Sequence, residues 1–439
     1  MTEFGNSRIS VTTQGGGIGA LNLNVTEKLV IFGRGDPAGG TVNVNEPTQV
    51  TGPGQLDAVF GADTRINEAM RDAAGNGTAF SVMFGVVPEQ VAVTDEAIAG
   101  GSGTLDNIPI EDPSLIDIQN TTAGQSESVV FRYEEPIDTS VLASGEVAIN
   151  PDTGAVAAGD TDDYEIDYEY HEWQAAFDSA VDVIDPQEAG QWCVLSDSGS
   201  VVSDAVGSIT PLRENQFKMI RLAAGAEPNA TANDGEPQID PGAYSDNVAD
   251  AASFLFGPTR EATATESVRT ALGAIGGKMA SVPLSESILG ESLNGVGDLV
   301  QRMNVPTQED LADNEVIPVS DFGSPAIEEN LSTSDAGRRQ TYFTRRLADR
   351  LILAARAIAR AVRGDVANPD TAGLVENRLE DEIVSLVDDG LLEPNADDEQ
   401  KFFVSAQADP NNPKRLIVDF GFTPEGIVDQ VEFTATVST

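Results

Sequence analysis

The stretch QTYFTRRLADRLILAARAIARAVR, residues 340–363, is the most distinctive part of the chain and the best guide to its fold. It has no internal glycine or proline and Gly364 follows it, so it predicts a helix that ends near residue 363. Its apolar side chains form an arc of about 100° on a helical wheel, which predicts one buried side. A second arc, about 140° wide, consists of arginines: Arg345, Arg346, Arg350, Arg356, Arg360 and Arg363.

These arginines stand out against the composition of the whole chain. Eight arginines and one acid, Asp349, lie between Arg338 and Arg363, whereas the chain has 25 basic and 72 acidic residues and a net charge of −47. A basic face in so acidic a molecule predicts a docking surface for a negatively charged partner. The alternative is a surface helix whose arginines pair with carboxylates of the same protein.

The length and charge limit the class of protein. A chain of 439 residues is too long for one compact core and predicts two to four domains. Five lysines against 20 arginines, with acids throughout, are typical of a halophilic and hence archaeal protein. Screening shortens to about 3 Å in 1 M salt, so the negative charge does not prevent self-assembly there. Nucleic-acid binding is disfavoured because the basic residues form one helix face alone.

Several functional classes find no support in the sequence. The first residues lack a signal-peptide pattern, and no run of 18 apolar residues predicts membrane insertion. Cys193, the single cysteine, excludes an internal disulfide and a cysteine-based metal cluster. There is no phosphate loop and no nucleophile elbow, and His171 is the single histidine. We therefore predict no catalytic residue, no cofactor and no enzyme activity.

One acidic stretch invites a metal hypothesis. Residues 163–171 alternate as in a strand, and one predicted face consists of Asp163, Glu165, Asp167, Glu169 and His171. A strand face points its ligands in parallel, whereas a calcium site needs a loop that wraps around the ion. We favour a solvent-exposed face over a metal site.

The remaining signals divide the chain into regions. Residues 29–87 predict a small α/β unit, and residues 92–161 are β-rich. From Trp173 to Val319 strand and helix signals alternate, which predicts a parallel sheet flanked by helices. This region includes a predicted strand at Met279–Pro283 and a predicted helix around 296–303. A helix at Leu374–Asp389 and a hairpin that turns at Asp409–Pro413 follow.

Both ends of the chain are strand-like. The first strand, with Ile9 and Val11, precedes a glycine-rich segment: Gly15, Gly16, Gly17 and Gly19. The last strand contains Ile427, Val431, Phe433 and Val437 and is long enough to pair with the sheet of another molecule.

Several motifs resemble those of contractile tail sheath proteins, from tailed viruses, including viruses of haloarchaea, and from related contractile injection systems. They are LVIFGRGDPAG (29–39), NEPTQVTGPGQLDAVFG (45–61), GNGT (75–78) with FSVMFGV (80–86), and AIEENLSTS (326–334). The resemblance covers residues 1–90 and 290–439.

The resemblance implies an α+β multidomain fold: a sheath core of α/β character, made of the N- and C-terminal parts together, with inserted β-rich and α/β domains. The implied division is an N-terminal exchange arm and hinge (1–24), the N-terminal part of the core (25–91), a β-rich outer domain (92–165), an α/β domain (166–325), a C-terminal tube-facing domain (326–425) and a C-terminal exchange strand (426–439).

The resemblance also implies a function. Sheath subunits stack as rings, usually hexameric, around an inner tail tube and contract to drive the tube through the host envelope. Neighbours exchange terminal strands, the glycines act as a hinge, and the arginine face rests on the tube. The implied partners are other copies, the tube protein, the baseplate and the tail terminator, and the location is a virion tail assembled in a salt-rich cytoplasm. Another virion protein (baseplate or shell) and a halophilic α/β enzyme are the alternatives.

Overall fold

A computed structural model describes 27–110, 115–132, 136–151, 153–186, 188–226, 228–229, 238–239, 252–257, 259, 270–284, 286–299, 305–313, 315–321, 325–329, 341–362, 368–395 and 400–423. The predicted exchange arms and the glycine hinge lie outside these residues. No helix in the described ranges is both long and apolar enough to cross a bilayer.

The first part of the described chain contributes strands and helices to a central sheet. In chain order these are β1 (Lys28–Phe32), β2 (Thr48–Gln49), α1 (Leu56–Phe60), α2 (Arg65–Gly75) and β3 (Met83–Val86). The helix α2 begins after Thr64, whose side chain accepts a hydrogen bond from the backbone of Asn67. All of β1 after Lys28 is buried, as expected of a strand covered on both faces.

A seven-stranded sheet, here called the β-sheet unit, follows. Its strands are β4 (Glu89–Ile98), β5 (Ser102–Thr104), β6 (Ile116–Asn120), β7 (Gln125–Phe131), β8 (Glu146–Ile149), β9 (Ala155–Ala158) and β10 (Tyr164–Glu172). They lie in the order β4-β10-β6-β7-β8-β9-β5, and β7 and β8 are the parallel pair in an otherwise antiparallel sheet. The predicted β-rich character of this region is confirmed.

The next part alternates between strands and helices. Its elements are α3 (Trp173–Ser179), β11 (Ala189–Val194), α4 (Gly199–Gln216), β12 (Met219–Gly225), β13 (Pro228–Asn229), β14 (Gln238–Ile239), β15 (Ser253–Gly257), α5 (Leu272–Ser281), α6 (Val305–Asp313), β16 (Val316–Asp321) and β17 (Pro325–Ile327). Two local predictions were wrong. The predicted strand at Met279–Pro283 is mostly the last turn of α5, and the described residues 296–299 are not helical.

The central sheet has the strand order β17-β16-β15-β12-β11-β1-β3-β2. From β16 to β3 all neighbouring strands are parallel, and antiparallel strands lie at both edges. Helices α2 and α5 contribute to the hydrophobic core on one face, and α3 and α4 contribute to the core on the other. The predicted parallel sheet with flanking helices is confirmed.

Strand β1 joins two predicted regions. It pairs with β11 on one side and β3 on the other, so β1, β2 and β3 lie in the same sheet as β11, β12, β15, β16 and β17. We call this part the central unit. The β-sheet unit interrupts it between β3 and α3, and a local sequence pattern does not show which distant strands become neighbours.

The C-terminal unit, residues 341–423, has a separate core. It consists of α7 (Tyr342–Ala361), α8 (Pro369–Asp388), β18 (Phe402–Asp409) and β19 (Asn412–Phe422). The two helices and the hairpin enclose one apolar cluster, which includes Leu351, Leu379 and Phe420. The helix α8 begins five residues earlier than predicted because the Asn368 side chain caps it and Pro369 occupies its first turn.

Candidate functional site

The arginine-rich stretch forms the predicted helix, α7. Its start is fixed by Thr341, whose hydroxyl accepts a hydrogen bond from the backbone of Thr344 at 3.1 Å. The apolar stripe, which includes Leu347, Leu351 and Ile358, is buried in the C-terminal unit. Much of the opposite face contacts the central unit. The contacts of its arginines therefore show whether this face is free to bind a partner.

One group of charges joins α7 to the centre of the parallel sheet. Arg221, in the middle of β12, is completely buried. Its guanidinium lies 3.0 Å from a carboxylate oxygen of Glu27 and 3.3 Å from one of Asp349. The second oxygen of Glu27 lies 3.2 Å from Arg346 of α7. Both carboxylates therefore contact arginines of different structural units.

Asp349 is the most heavily shared of these groups. It is fully buried, and one oxygen accepts hydrogen bonds from Arg213 of α4 at 2.6 Å and from Arg345 at 3.1 Å. We define the arginine joint as the set of residues Glu27, Arg213, Arg221, Tyr342, Arg345, Arg346 and Asp349. It holds four guanidinium groups and two carboxylates from β12, α4, α7 and the residue before β1.

Tyr342 lies inside the arginine joint. Its ring centroid is 5.3 Å from the guanidinium carbon of Arg221 and 5.5 Å from that of Arg346, and its hydroxyl donates a hydrogen bond to the carbonyl of Met279 at 2.5 Å. Burial raises the pKa of Tyr342 to about 12. For Arg221, burial acts to lower the pKa, but Glu27, Tyr342 and Asp349 outweigh it, so the pKa is raised and the group stays charged.

Two further arginines of α7 also contact the protein itself. Arg350 pairs with Glu382 of α8 at 3.3 Å. Arg356 donates hydrogen bonds to the carbonyls of Pro186, Gln216 and Phe217, at 2.7, 3.2 and 3.1 Å, and lies over the Phe217 ring. It thus satisfies carbonyls at the C-terminus of α4, where a cation is favoured. Burial, followed by the charge of Arg360, lowers the pKa of Arg356.

The predicted arginine face is therefore divided. Arg345, Arg346, Arg350 and Arg356 bind within the chain, as the alternative interpretation expects. Arg346 and Arg356 contact the central unit, whereas Arg345 and Arg350 pair with acids of the C-terminal unit. Arg360 is half-buried and makes no ion pair or hydrogen bond with another described residue. Arg363 lies outside the described residues. The contact with a tube stays a prediction.

The sequence interpretation missed the residues that α7 meets. The predicted docking surface named neither Arg213, Arg221 nor Glu27, which come from regions far from α7. One signal was present: Arg221 interrupts the apolar run Met219–Gly225, whose residues are all buried. A charged side chain in such a strand needs a buried partner. Asp349, the single acid between Arg338 and Arg363, has the matching charge.

The hairpin is the second feature of interest. Strands β18 and β19 form a two-stranded sheet, and no third described strand pairs with either of them. One side packs on the core of the C-terminal unit, through residues such as Phe402, Val418 and Phe420. The outer edge of β18 is partly occupied, because the backbone N–H of Ala406 donates to Glu376 at 3.0 Å and that of Phe402 donates to Asn395 at 2.8 Å. The remaining edge groups of the hairpin are of the kind with which a further strand pairs. The predicted exchange residues Ile9, Val11, Ile427, Val431, Phe433 and Val437 lie outside the described residues.

The acidic strand differs from its prediction. The pairing of β10 with β4 shifts register between Ile166 and Tyr168, and the alternation of buried and exposed residues changes after that point. Glu165 and Asp167 are exposed, but His171 is buried and lies beside Trp173, with 6.4 Å between ring centroids. The five side chains do not share one face. Among the described residues, no group of three or more His, Cys, Asp or Glu side chains is placed to hold a metal ion.

Comparisons with known proteins complete the description. No family model and no curated protein matches the sequence. A chain in the cryo-EM structure of the anti-feeding prophage baseplate superposes with a TM-score of 0.59 at 13% identity, over 100% of this chain and 99% of that one. The contracted helical sheath of the same prophage gives 0.54 at 15% identity, over 100% and 97% of the two chains.

Bacterial sheath tail proteins are similar as well. The crystal structure of one from Desulfitobacterium hafniense has a TM-score of 0.52 at 12% identity and covers 89% of this chain and 92% of its own. These matches extend over nearly the whole length of the described units. The chain therefore has the α+β multidomain fold of contractile tail sheath proteins.

Proposed function

We propose that the protein is the structural subunit of a contractile tail sheath, which polymerises around an inner tube and contracts to drive the tube through a host envelope. The observation that carries the proposal is the full-length similarity to a chain of a contracted helical sheath. A catalytic site could share this fold, but we assign no catalytic residue. The energy for movement would be stored in a metastable extended lattice.

The hairpin supports self-assembly by exchange of strands. Its strands have no third described partner, and residues 424–439 follow β19 after Thr423. We infer that a terminal strand of one copy pairs with the hairpin of another, through Ile9 and Val11 or through the residues 427–437. Main-chain bonding tolerates changes of subunit orientation because it does not depend on side-chain fit.

The proposed partners follow from the same similarity. We infer stacked rings, hexameric by analogy with the six-fold baseplate assembly, together with a tube protein, a baseplate and a tail terminator. The proposed location is the tail of a virion or of a related injection particle, with assembly in a salt-rich cytoplasm.

The contacts of α7 restrict where a tube could bind. Arg345, Arg346, Arg350 and Arg356 are engaged within the chain, so we infer that an acidic tube surface meets the C-terminal end of α7, at Arg360 and Arg363. We expect Arg360→Glu to abolish co-sedimentation with tubes and to leave sheath polymers intact. The matched control is Arg378→Glu on α8, and equal loss in both variants would contradict a specific contact.

Electron microscopy of the protein expressed alone and kept in molar salt tests the main proposal. Hollow tubes or stacked rings are the expected result. Discrete small particles would contradict the sheath proposal and would favour an enzyme.

One observation favours a second candidate, a baseplate role. A chain from a baseplate assembly is similar over 100% of this chain and 99% of its own length. A baseplate subunit would form closed rings that do not stack, whereas a sheath subunit forms tubes of variable length. The same micrographs therefore separate the two functions.

A further inference from the structure

Glu27 is the first residue of the described structure and lies at the start of the central sheet. It directly precedes β1, which lies in the interior of the central sheet between β11 and β3. Tension applied through the peptide bond that precedes Glu27 enters the described units at this residue. What Glu27 contacts therefore decides which parts of the subunit receive that force.

The carboxylate of Glu27 contacts two structural units at once. One oxygen lies 3.0 Å from Arg221 of β12, in the central unit, and the other lies 3.2 Å from Arg346 of α7, in the C-terminal unit. Arg346 also donates a hydrogen bond to the carbonyl of Pro283 at 2.9 Å. The side chain of Glu27 is 11% exposed and those of its two partners are 1% and 6% exposed, so salt screens these pairs weakly.

The neighbouring residue is fixed on a different element. Lys28 pairs with Glu188 at 2.7 Å and donates a hydrogen bond to the carbonyl of Val183 at 2.8 Å. This contact lies within the central unit. Glu27 alone connects the start of β1 to the C-terminal unit through a charge pair of the described residues.

We propose that Glu27 is a mechanical anchor, which passes tension applied through the segment 1–26 to the central unit through Arg221 and to the C-terminal unit through Arg346. The inference rests on the proposed function, in which a neighbouring copy holds that segment. Without the anchor, tension would first peel the start of β1 away from the sheet. Each residue freed from β1 would extend the chain by about 3.3 Å.

Single-molecule pulling on the full-length subunit tests the anchor. One handle is attached at Thr13→Cys and the other at Val384→Cys on α8, where the native side chain is 40% exposed. Cys193 is fully buried and does not compete for labelling. At constant force we expect Glu27→Gln to raise the rate of the first small extension at least tenfold. Arg346→Gln, which keeps the contact between Glu27 and Arg221, should raise it as well.

The matched control is Glu382→Gln, which removes a carboxylate from another α7 arginine, Arg350. It should leave the first extension at the wild-type rate. Equal rates in wild type, Glu27→Gln and Arg346→Gln would overturn the anchor, and Arg346→Gln decides the question if Glu27→Gln does not fold. Because pulling uses isolated subunits, a failed anchor and a failed sheath proposal give separate results.

Discussion

At the scale of single residues, the arginine joint depends most on Asp349, because three arginines share its carboxylate. We expect Asp349→Asn to reduce the free energy of unfolding by about 3–5 kcal/mol, since it leaves buried guanidinium groups without a counter-charge. Urea denaturation at fixed salt measures this loss. Glu382→Gln is the control, and its pair with Arg350 should be worth about 1 kcal/mol or less. A loss for Asp349→Asn as small as the control's would show that the joint is solvated.

Tyr342 predicts a pH dependence. Burial raises its pKa to about 12, whereas an unfolded tyrosine titrates near about 10. The stabilisation from its protonated form is therefore complete below about pH 10 and is lost as the pH rises towards 12. Denaturation at a series of pH values across this range measures the effect. The free energy of unfolding should decrease less steeply with pH for Tyr342→Phe than for wild type. Tyr168, which also has a raised pKa, is present in both proteins, so parallel curves would contradict the assignment.

At the scale of elements, the contact between α2 and α5 depends on glycine. A Cβ atom at Gly277 would lie 2.4 Å from the Cα of Ala73, and one at Gly273 would lie 2.4 Å from the Cα of Ala69. We expect Gly277→Ala to destabilise the protein by about 1–3 kcal/mol because the helices must separate. Gly207→Ala in α4, where nothing lies within 4 Å, should instead stabilise by about 0.5–1 kcal/mol. Thermal denaturation of both variants measures the two effects. Equal shifts of the melting temperature would contradict the close packing of α2 on α5.

The elements also show how far the sequence could predict this structure. The bounds of α7 and the hairpin followed from local signals: a helical period, the glycine at 364 and an Asp-Pro turn. The contacts between these elements and the rest of the chain could not be predicted. The spacing of the arginines shows that one face of α7 is charged, but it does not show which residues that face contacts. The carboxylate of Glu27 lies 319 positions from Arg346 along the chain. The pairing of β1 with β11 was hidden for the same reason, since the whole β-sheet unit lies between them.

At the scale of the whole molecule, the net charge bears on the proposed self-assembly. With a net charge of −47, subunits repel each other over a screening length of about 3 Å in 1 M salt and about 10 Å in 0.1 M salt. We expect polymers to dissociate on dilution of the salt, and light scattering measures this. Polymers that persist unchanged at low salt would contradict the charge argument.

A truncation tests the strand exchange at the same scale. Deletion of residues 1–14 or 428–439 should leave a folded subunit with wild-type circular dichroism that no longer forms filaments. Deletion of residues 1–6, which spares Ile9 and Val11, is the control. Filaments of normal length from the longer truncations would exclude the exchange.

The ends of the β-sheet unit lie side by side, because Glu89 at the start of β4 pairs directly with Glu172 at the end of β10. The chain thus leaves the central unit after β3 and returns at α3 through a gap of about 5 Å. An insertion whose ends lie so close together need not displace the elements between which it is inserted. Evolution could therefore exchange this module, or an engineer could graft a foreign one in its place, while the central unit keeps its strand order.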